Sequence, residues 1–314
     1  MPKSIRDAYG EALRKYGVPT ENVIVLDADL SGSTKSVLFA REAPDRFFNV
    51  GISENNMVAM AAGMSTCGKN VFVNTFTSFL TTIGACASKA LISYGKLNVK
   101  LAGAYAGLSG AYDGPSHHSL EDIAIMRAMP NFTVFVASDE IMTDKITKYL
   151  AQEHVGPAYF RLSREAFPVV YSENDTLVPG GSKVLCEGGD AVVFAMGFMV
   201  SKALEAAKKL KAEGIEVTVV DIYSIKPIDR DTIVKYAKST GAVVAAEEHN
   251  VIGGLTSAVS EIMLAEGAYA PVESVSMPDR HAETGKYSDL TKKFGFTAEA
   301  VEAAVRKAIA RKGK

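Results

Sequence analysis

Short runs of β-branched and aromatic residues alternate with helical stretches along the whole chain, and this alternation narrows the possible folds more than any other feature. In the first half the runs are Val23–Leu26, Phe47–Val50, Val71–Asn74, Val99–Ala102, Thr133–Ala137 and Tyr159–Leu162. Helical patterns fill the gaps at Met57–Ser65, Thr82–Tyr94, Leu120–Met129 and Asp139–Gln152. Strands that alternate with helices predict a parallel sheet covered by helices on both faces. Between Phe167 and Gly189 the pattern breaks into Pro, Ser, Asn and Gly, the composition of a linker. It then resumes. Ala191–Ala195, Val217–Asp221, Ala242–Ala246 and Val272–Ser276 read as strands; Ser201–Glu213, Arg230–Ser239, Gly254–Leu264 and a stretch from Thr297 read as helices. The expected organisation is α/β, with two doubly wound domains at 1–166 and 190–314 joined by a linker at 167–189. No internal repeat is evident.

Composition excludes several classes of function. At 314 residues, with 47% hydrophobic and 22% charged side chains, the chain has a full core for two ordinary domains. A net charge of −2 provides no basic field for nucleic acid or an anionic membrane. There is no apolar run long enough to span a bilayer, and the start of the chain reads as an amphipathic helix rather than a signal peptide. Cys67, Cys86 and Cys186 are an odd, scattered set with neither a disulfide nor a zinc pattern. The expectation is a cytoplasmic protein.

Glu54 is the most informative single residue. A short apolar strand runs through Gly51 and Ile52 into Glu54 and then into a helix, about Asn55 to Ser65, that carries no charge. An uncharged helix reads as buried on most faces, and a carboxyl group at its head sits in low dielectric, where proton exchange is favoured. Glu54 could equally be a first-turn acid that satisfies backbone donors.

Three further stretches stand at strand ends. Gly103 to His118 is a glycine-rich loop after a strand, where open α/β sheets bind ligands, and it carries Asp113, His117 and His118. Asp113-Gly-Pro could be a plain turn and His117 a cap for the helix that follows; adjacent histidines seldom share one metal. Phe76 and Phe79, three apart after Asn74, suit either core packing or a stacking wall for a flat heterocycle. Arg164 ends the run Phe160-Arg161-Leu162-Ser163, as a solvated cation or as a fork for phosphate.

In this order and spacing, these motifs resemble the transketolase family of thiamine diphosphate enzymes, specifically its pyrimidine-binding and C-terminal domains. The run Asp27-Ala28-Asp29-Leu30, Gly51-Ile52-Ser53-Glu54, Phe76-x-x-Phe79, Asp113-Gly-Pro-Ser-His117 and Leu-Ser-Arg164 carries the resemblance through the first domain. Ala195-Met-Gly197, Asp221-Ile-Tyr-Ser-Ile-Lys-Pro227 and Glu247-Glu-His-Asn-Val-Ile-Gly253 extend it through the second.

The resemblance implies roles. Glu54 would bond N1′ of the aminopyrimidine and favour the tautomer that generates the nucleophilic ylid, so the protein tunes chemistry that belongs to the cofactor. Phe79, with Phe76 beside it, would wall the pyrimidine ring, with Ile52 and Asp29 near the cofactor. His117 would face the 4′-amino group and the substrate hydroxyls, and Asp113 the donor's C2 hydroxyl. Arg6, Ser33 and Arg164 would bind the sugar phosphate. Tyr105 stands where a histidine is common, and Asn55-Asn56 where Glu-His is commoner; both bear on the choice of sugar.

The family holds the diphosphate and its Mg2+ (or Ca2+) through a Gly-Asp-Gly segment, and no Gly-Asp-Gly occurs in this sequence. The resemblance therefore implies one subunit of a split transketolase. Its partner would be a separate diphosphate-binding chain, in a heterotetramer with two copies of each. No metal ligand is assigned to this chain. A 2-oxo acid dehydrogenase β-subunit has no need of the Asp113 and Arg164 motifs. A 1-deoxyxylulose-5-phosphate synthase portion would carry an arginine that is missing between Gly103 and Tyr112. A non-catalytic assembly subunit would be favoured only if Glu54 were replaced.

Overall fold

The computed structural model describes residues 2–312; the outer ends of the two expected domains, Met1 and 313–314, lie outside them. The first sheet is built from β1 (Val23–Asp27), β2 (Phe47–Asn49), β3 (Asn70–Phe76), β4 (Val99–Ala104), β5 (Thr133–Val136) and β6 (Ala158–Arg161). These six strands run parallel in the order β5-β6-β4-β3-β1-β2. Side chains alternate across the sheet, as the period of two requires. Val71, Val73 and Leu101 pack on one face with Met57, Val58 and Ala61. Phe72 and Ala102 pack on the other with Ile5, Tyr9, Met142 and Ile146.

The second sheet has the order β12-β11-β8-β9-β7, from β7 (Lys183–Cys186), β8 (Ala191–Ala195), β9 (Val217–Asp221), β11 (Val243–Asn250) and β12 (Val272–Met277). Only β7 is antiparallel in it. One strand crosses over: β10 (Ser224–Lys226) leaves the second half of the chain and pairs antiparallel with β5 at the edge of the first sheet. A single apolar cluster also runs from Val71 and Leu101 in the first sheet to Val192 and Phe194 in the second, so the two layers share a core. No helix among the described residues is long and apolar enough to cross a membrane.

The structure corrects three expectations. The segment 167–189, expected as a linker, contains β7, an edge strand paired on one side only, whose apolar run Val184-Leu185-Cys186 is too short to stand out. The helix expected at Thr82–Tyr94 begins earlier, at Thr77, and its first segment ends at Thr82. The chain bends at Gly84, where a Cβ would meet the Leu80 carbonyl oxygen at 2.6 Å, and continues as Ala85–Ala87 and a π-turn segment, Ser88–Ser93. The helix Glu54–Thr66 buries only the face carrying Glu54, Met57, Val58, Ala61 and Ala62, because it packs against the sheet on one side; Asn55, Asn56 and Gly63 are exposed.

Candidate active site

The residues expected to carry chemistry follow the carboxyl ends of β1, β2, β3, β4 and β6, which all point the same way in a parallel sheet. The β1 end carries Asp29 and Ser33, β2 Ile52 and Glu54, β3 Phe76 and Phe79, β4 the loop from Tyr105 to His117, and β6 Arg164. Arg6 joins them from the helix Ile5–Ala12.

Glu54 is the first residue of its helix and is 4% exposed. Its carboxylate accepts no backbone N–H among the described residues; its one partner is the Thr75 hydroxyl, which donates to Oε1 at 3.3 Å. Ser53 at the N-cap makes no side-chain cap bond either. Capping therefore does not explain why an acid is buried here. The second carboxylate oxygen has no hydrogen-bond partner among the described residues.

Thr75 leads directly into an aromatic group. Phe76 lies 4.2 Å from Tyr105 and 6.1 Å from Phe79, centroid to centroid. His117 meets both phenylalanines edge-on, at 5.9 Å from Phe76 and 5.1 Å from Phe79. The His117 ring shares a 3.0 Å hydrogen bond, through Nδ1, with the Ser116 hydroxyl and caps no helix. A cleft of about 760 Å³ opens beside Phe79 and Ser116 and is bounded across the domain junction by Asp279, Arg280 and His281.

Tyr105 joins this group to a pair of cations. Arg6 Nη1 donates to the Tyr105 hydroxyl at 2.7 Å and to the Ser33 carbonyl at 3.1 Å. The guanidinium carbons of Arg6 and Arg164 each lie 5.2 Å from the Tyr105 ring centroid, within cation–π range. Tyr105 itself has φ +60°, a left-handed conformation that costs a bulky residue about 1–3 kcal/mol. Arg6 Nε is buried without a partner. Arg6 and Arg164 thus flank Tyr105 as one cationic cluster, with Ser33 joined to it through its backbone carbonyl and Phe76 packed alongside.

The remaining expected residues stand at the margin. Asp113 is exposed, and its side chain makes no hydrogen bond among the described residues. Ile52 is 82% exposed on the turn before Glu54. Asp29 is exposed at φ +64° and accepts from Asn49 Nδ2 at 2.7 Å. His118, next to His117, is buried; Nε2 bonds the Ala111 carbonyl at 3.3 Å, and burial holds its pKa below the ordinary value.

Sequence reasoning missed the groups that hold these loops. Asp27 accepts from Leu30 N at 2.6 Å, Thr34 Oγ1 at 2.7 Å and Ser36 Oγ at 2.8 Å, and so shapes the turn carrying Asp29 and Ser33. Burial raises its pKa, and those three donors offset part of the rise. Behind the β4 loop, Arg161 and Asp122 form a buried ion pair at 2.7 Å, and Tyr159 also donates to Asp122 at 2.7 Å. Glu248, at the tip of β11, completes this group. The run Glu247-Glu-His249 at the end of an apolar strand was the signal in the sequence.

Residues 1–169 match the family described as transketolase, pyrimidine binding domain, and residues 180–301 match transketolase, C-terminal domain. A protein of Methanocaldococcus jannaschii named as a transketolase C-terminal section is 40% identical over 301 residues, covering 95% of this chain and 94% of its own. A 6-deoxy-6-sulfo-D-fructose transketolase subunit of a Clostridium species is 36% identical, with 98% and 95% covered. The solved structure titled as a split gene transketolase, inactive β4 tetramer, superposes with a TM-score of 0.90 at 46% identity, covering 99% of this chain and 100% of that one. The chain belongs to the transketolase family, as its pyrimidine-binding and C-terminal domains.

Proposed function

We propose that this chain is the pyrimidine-binding subunit of a split transketolase, which moves a two-carbon ketol unit from a ketose phosphate to an aldose phosphate. The observation that carries the reading is Glu54: a buried carboxylate with one long hydrogen bond and no capping role, joined through Thr75 to an aromatic and cationic group at the same sheet edge. An acid left so weakly satisfied suits a polar ring that supplies the missing partner. The residues present fit the aminopyrimidine end of thiamine diphosphate, with Glu54 for a ring nitrogen and Phe79, Phe76 and His117 for its face and rim. When bound, thiamine diphosphate supplies the nucleophilic carbon that takes up the ketol unit.

The chain's own residues have separate tasks. Glu54 holds and returns a proton at the ring nitrogen. His117 and Asp113 face the sugar hydroxyls, and Arg6, Ser33 and Arg164 draw in its anionic end. Nothing in the sequence matches the segment that grips the diphosphate and its divalent cation. A second, diphosphate-binding chain supplies that half, in an assembly with two copies of each. The names of two relatives, a C-terminal section and a split gene product inactive as a β4 tetramer, support this division. A sulfonate-ended sugar, as in the name of the clostridial relative, suits the same pair of cations.

The test is reconstitution with thiamine diphosphate and magnesium. The chain alone should transfer no ketol unit, and adding a diphosphate-binding chain should produce transfer. Full turnover by the single chain, or none by the mixture, overturns the proposal.

A further inference from the structure

The loop from Tyr105 to His118 carries the side chains assigned to the sugar, yet much of what fixes it comes from the other domain. Its base is pinched by a two-way bridge, in which Gly107 N donates to the Ser119 carbonyl at 2.9 Å and Ser119 N to the Gly107 carbonyl at 3.1 Å. Glu248, 2% exposed at the tip of β11, reaches across and accepts from Leu108 N at 2.9 Å through Oε1. The fit is close. A Cβ added at Gly107 would lie 2.5 Å from the Glu248 carboxyl carbon, and Gly107 holds φ +65°. Arg161 Nη2 donates both to the Ser119 carbonyl at 3.2 Å and to the Glu248 carbonyl at 2.9 Å, so the bridge and the β11 tip are joined twice. Asn250 N adds a third link, to the Leu120 carbonyl at 2.7 Å. On the loop's far side Gly114 stands against Thr284, also from the second domain.

We infer that Glu248 is a positioning residue through which the second domain sets the loop bearing Asp113 and His117, and so governs sugar binding without touching the sugar. The inference rests on the transketolase reading for its kinetic consequence, but not for the loop itself. A backbone amide held by a buried carboxyl oxygen leaves both groups unsatisfied when that bond is lost. The glycine at 107 allows the carboxylate to approach that closely. Ser109, one residue beyond Leu108, accepts from Arg164 N at 3.1 Å, so loosening the loop also loosens Arg164.

Three substitutions separate reach from charge. Glu248→Gln keeps an oxygen within reach of Leu108 N; Glu248→Asp keeps the charge beside Arg161 but shortens the arm; Glu248→Ala removes both. Hydrogen exchange on the purified chain should show amides over 107–119 opening about 10- to 150-fold more often in the Ala and Asp forms, with little change in Gln. With the partner-assembled enzyme, the Ala and Asp forms should show KM for a ketose phosphate raised about tenfold or more, with a smaller change in kcat, and Gln should remain near wild type. If Ala does not fold, the Asp and Gln pair decides. Unchanged exchange over 107–119 in Asp, or a Gln form more defective than Asp, overturns the inference. If the wild-type assembly transfers no ketol unit, the functional reading fails and the exchange measurement still decides the role of Glu248 in the loop.

Discussion

Arg6 and Tyr105 are joined by a 2.7 Å hydrogen bond in which the guanidinium donates to the phenol oxygen, although 99 residues separate them in sequence. Accepting that bond leaves the phenol hydrogen available to donate toward an anion held between Arg6 and Arg164. On the proposed reading, Tyr105 would then take part in binding the anionic end of the sugar. Tyr105→Phe keeps the ring between the two cations and removes only the oxygen. A hydrogen bond to a charged group contributes about 1.5–3 kcal/mol, so KM for a phosphorylated sugar should rise by roughly tenfold or more. Hydroxypyruvate, with no terminal phosphate, should be turned over almost as before. Equal losses on both substrates would remove Tyr105 from that role.

Arg164→Ala should discriminate between the same substrates more strongly. Its guanidinium stands over Tyr105, and its backbone is fixed by the Ser109 hydroxyl, so truncation removes a cation without freeing the loop. A charge-assisted contact to phosphate predicts a loss of roughly 10- to 150-fold in kcat/KM for phosphorylated sugars. Steady-state kinetics against hydroxypyruvate supplies the control; a parallel fall there would make Arg164 structural.

The parallel strands, and the placement of the candidate site residues past their carboxyl ends, were legible because both depend on local signals. Runs of four or five residues, mostly apolar or, in β12, alternating apolar with polar, marked β1 to β6 and β8, β9, β11 and β12, and each first-domain motif sat just past a run. What escaped lacks such a signal. β10 is three residues long and belongs to the first sheet only because Ser224 and Lys226 meet Phe135 and Val134 across the domain junction. β7 is half-buried at an edge, where no apolar run is required. The anchoring acids were missed for a related reason: Asp27 and Glu248 act on backbone amides of loops, and Glu248 lies 140 residues from its partner. The run Glu247-Glu-His249 marks acids at a strand end, but nothing in it says which amide they serve.

Glu54→Gln tests the proton-transfer role with little structural change. The amide oxygen still accepts from Thr75, and no backbone cap is lost, so the melting temperature should hold. The amide cannot give and take a proton at a ring nitrogen, and turnover of the reconstituted enzyme should fall by roughly 10²–10⁴. Wild-type turnover with a lowered melting temperature would instead return Glu54 to a helix-terminus role.

Stability should depend on pH through Asp221, a buried carboxyl group at the end of β9. Tyr171 donates to its Oδ2 at 2.7 Å, but burial dominates and, with the nearby Asp139, raises its pKa from 3.8 to about 7. A raised folded-state pKa means that the folded chain holds this proton more tightly than the unfolded chain. The associated stability is fully present below about pH 4 and is lost as pH rises through about 7. Asp221→Asn keeps an acceptor for Tyr171 and does not titrate, while the buried groups that do not interact with Asp221 are common to both proteins and cancel in the comparison. The variant's stability relative to wild type should therefore improve by roughly 2–3 kcal/mol between pH 5 and pH 8. Denaturant unfolding of both proteins at the two pH values measures this directly. A difference that stays constant would show that Asp221 is already ionised in the folded chain at pH 5, held by Tyr171 more strongly than burial opposes it.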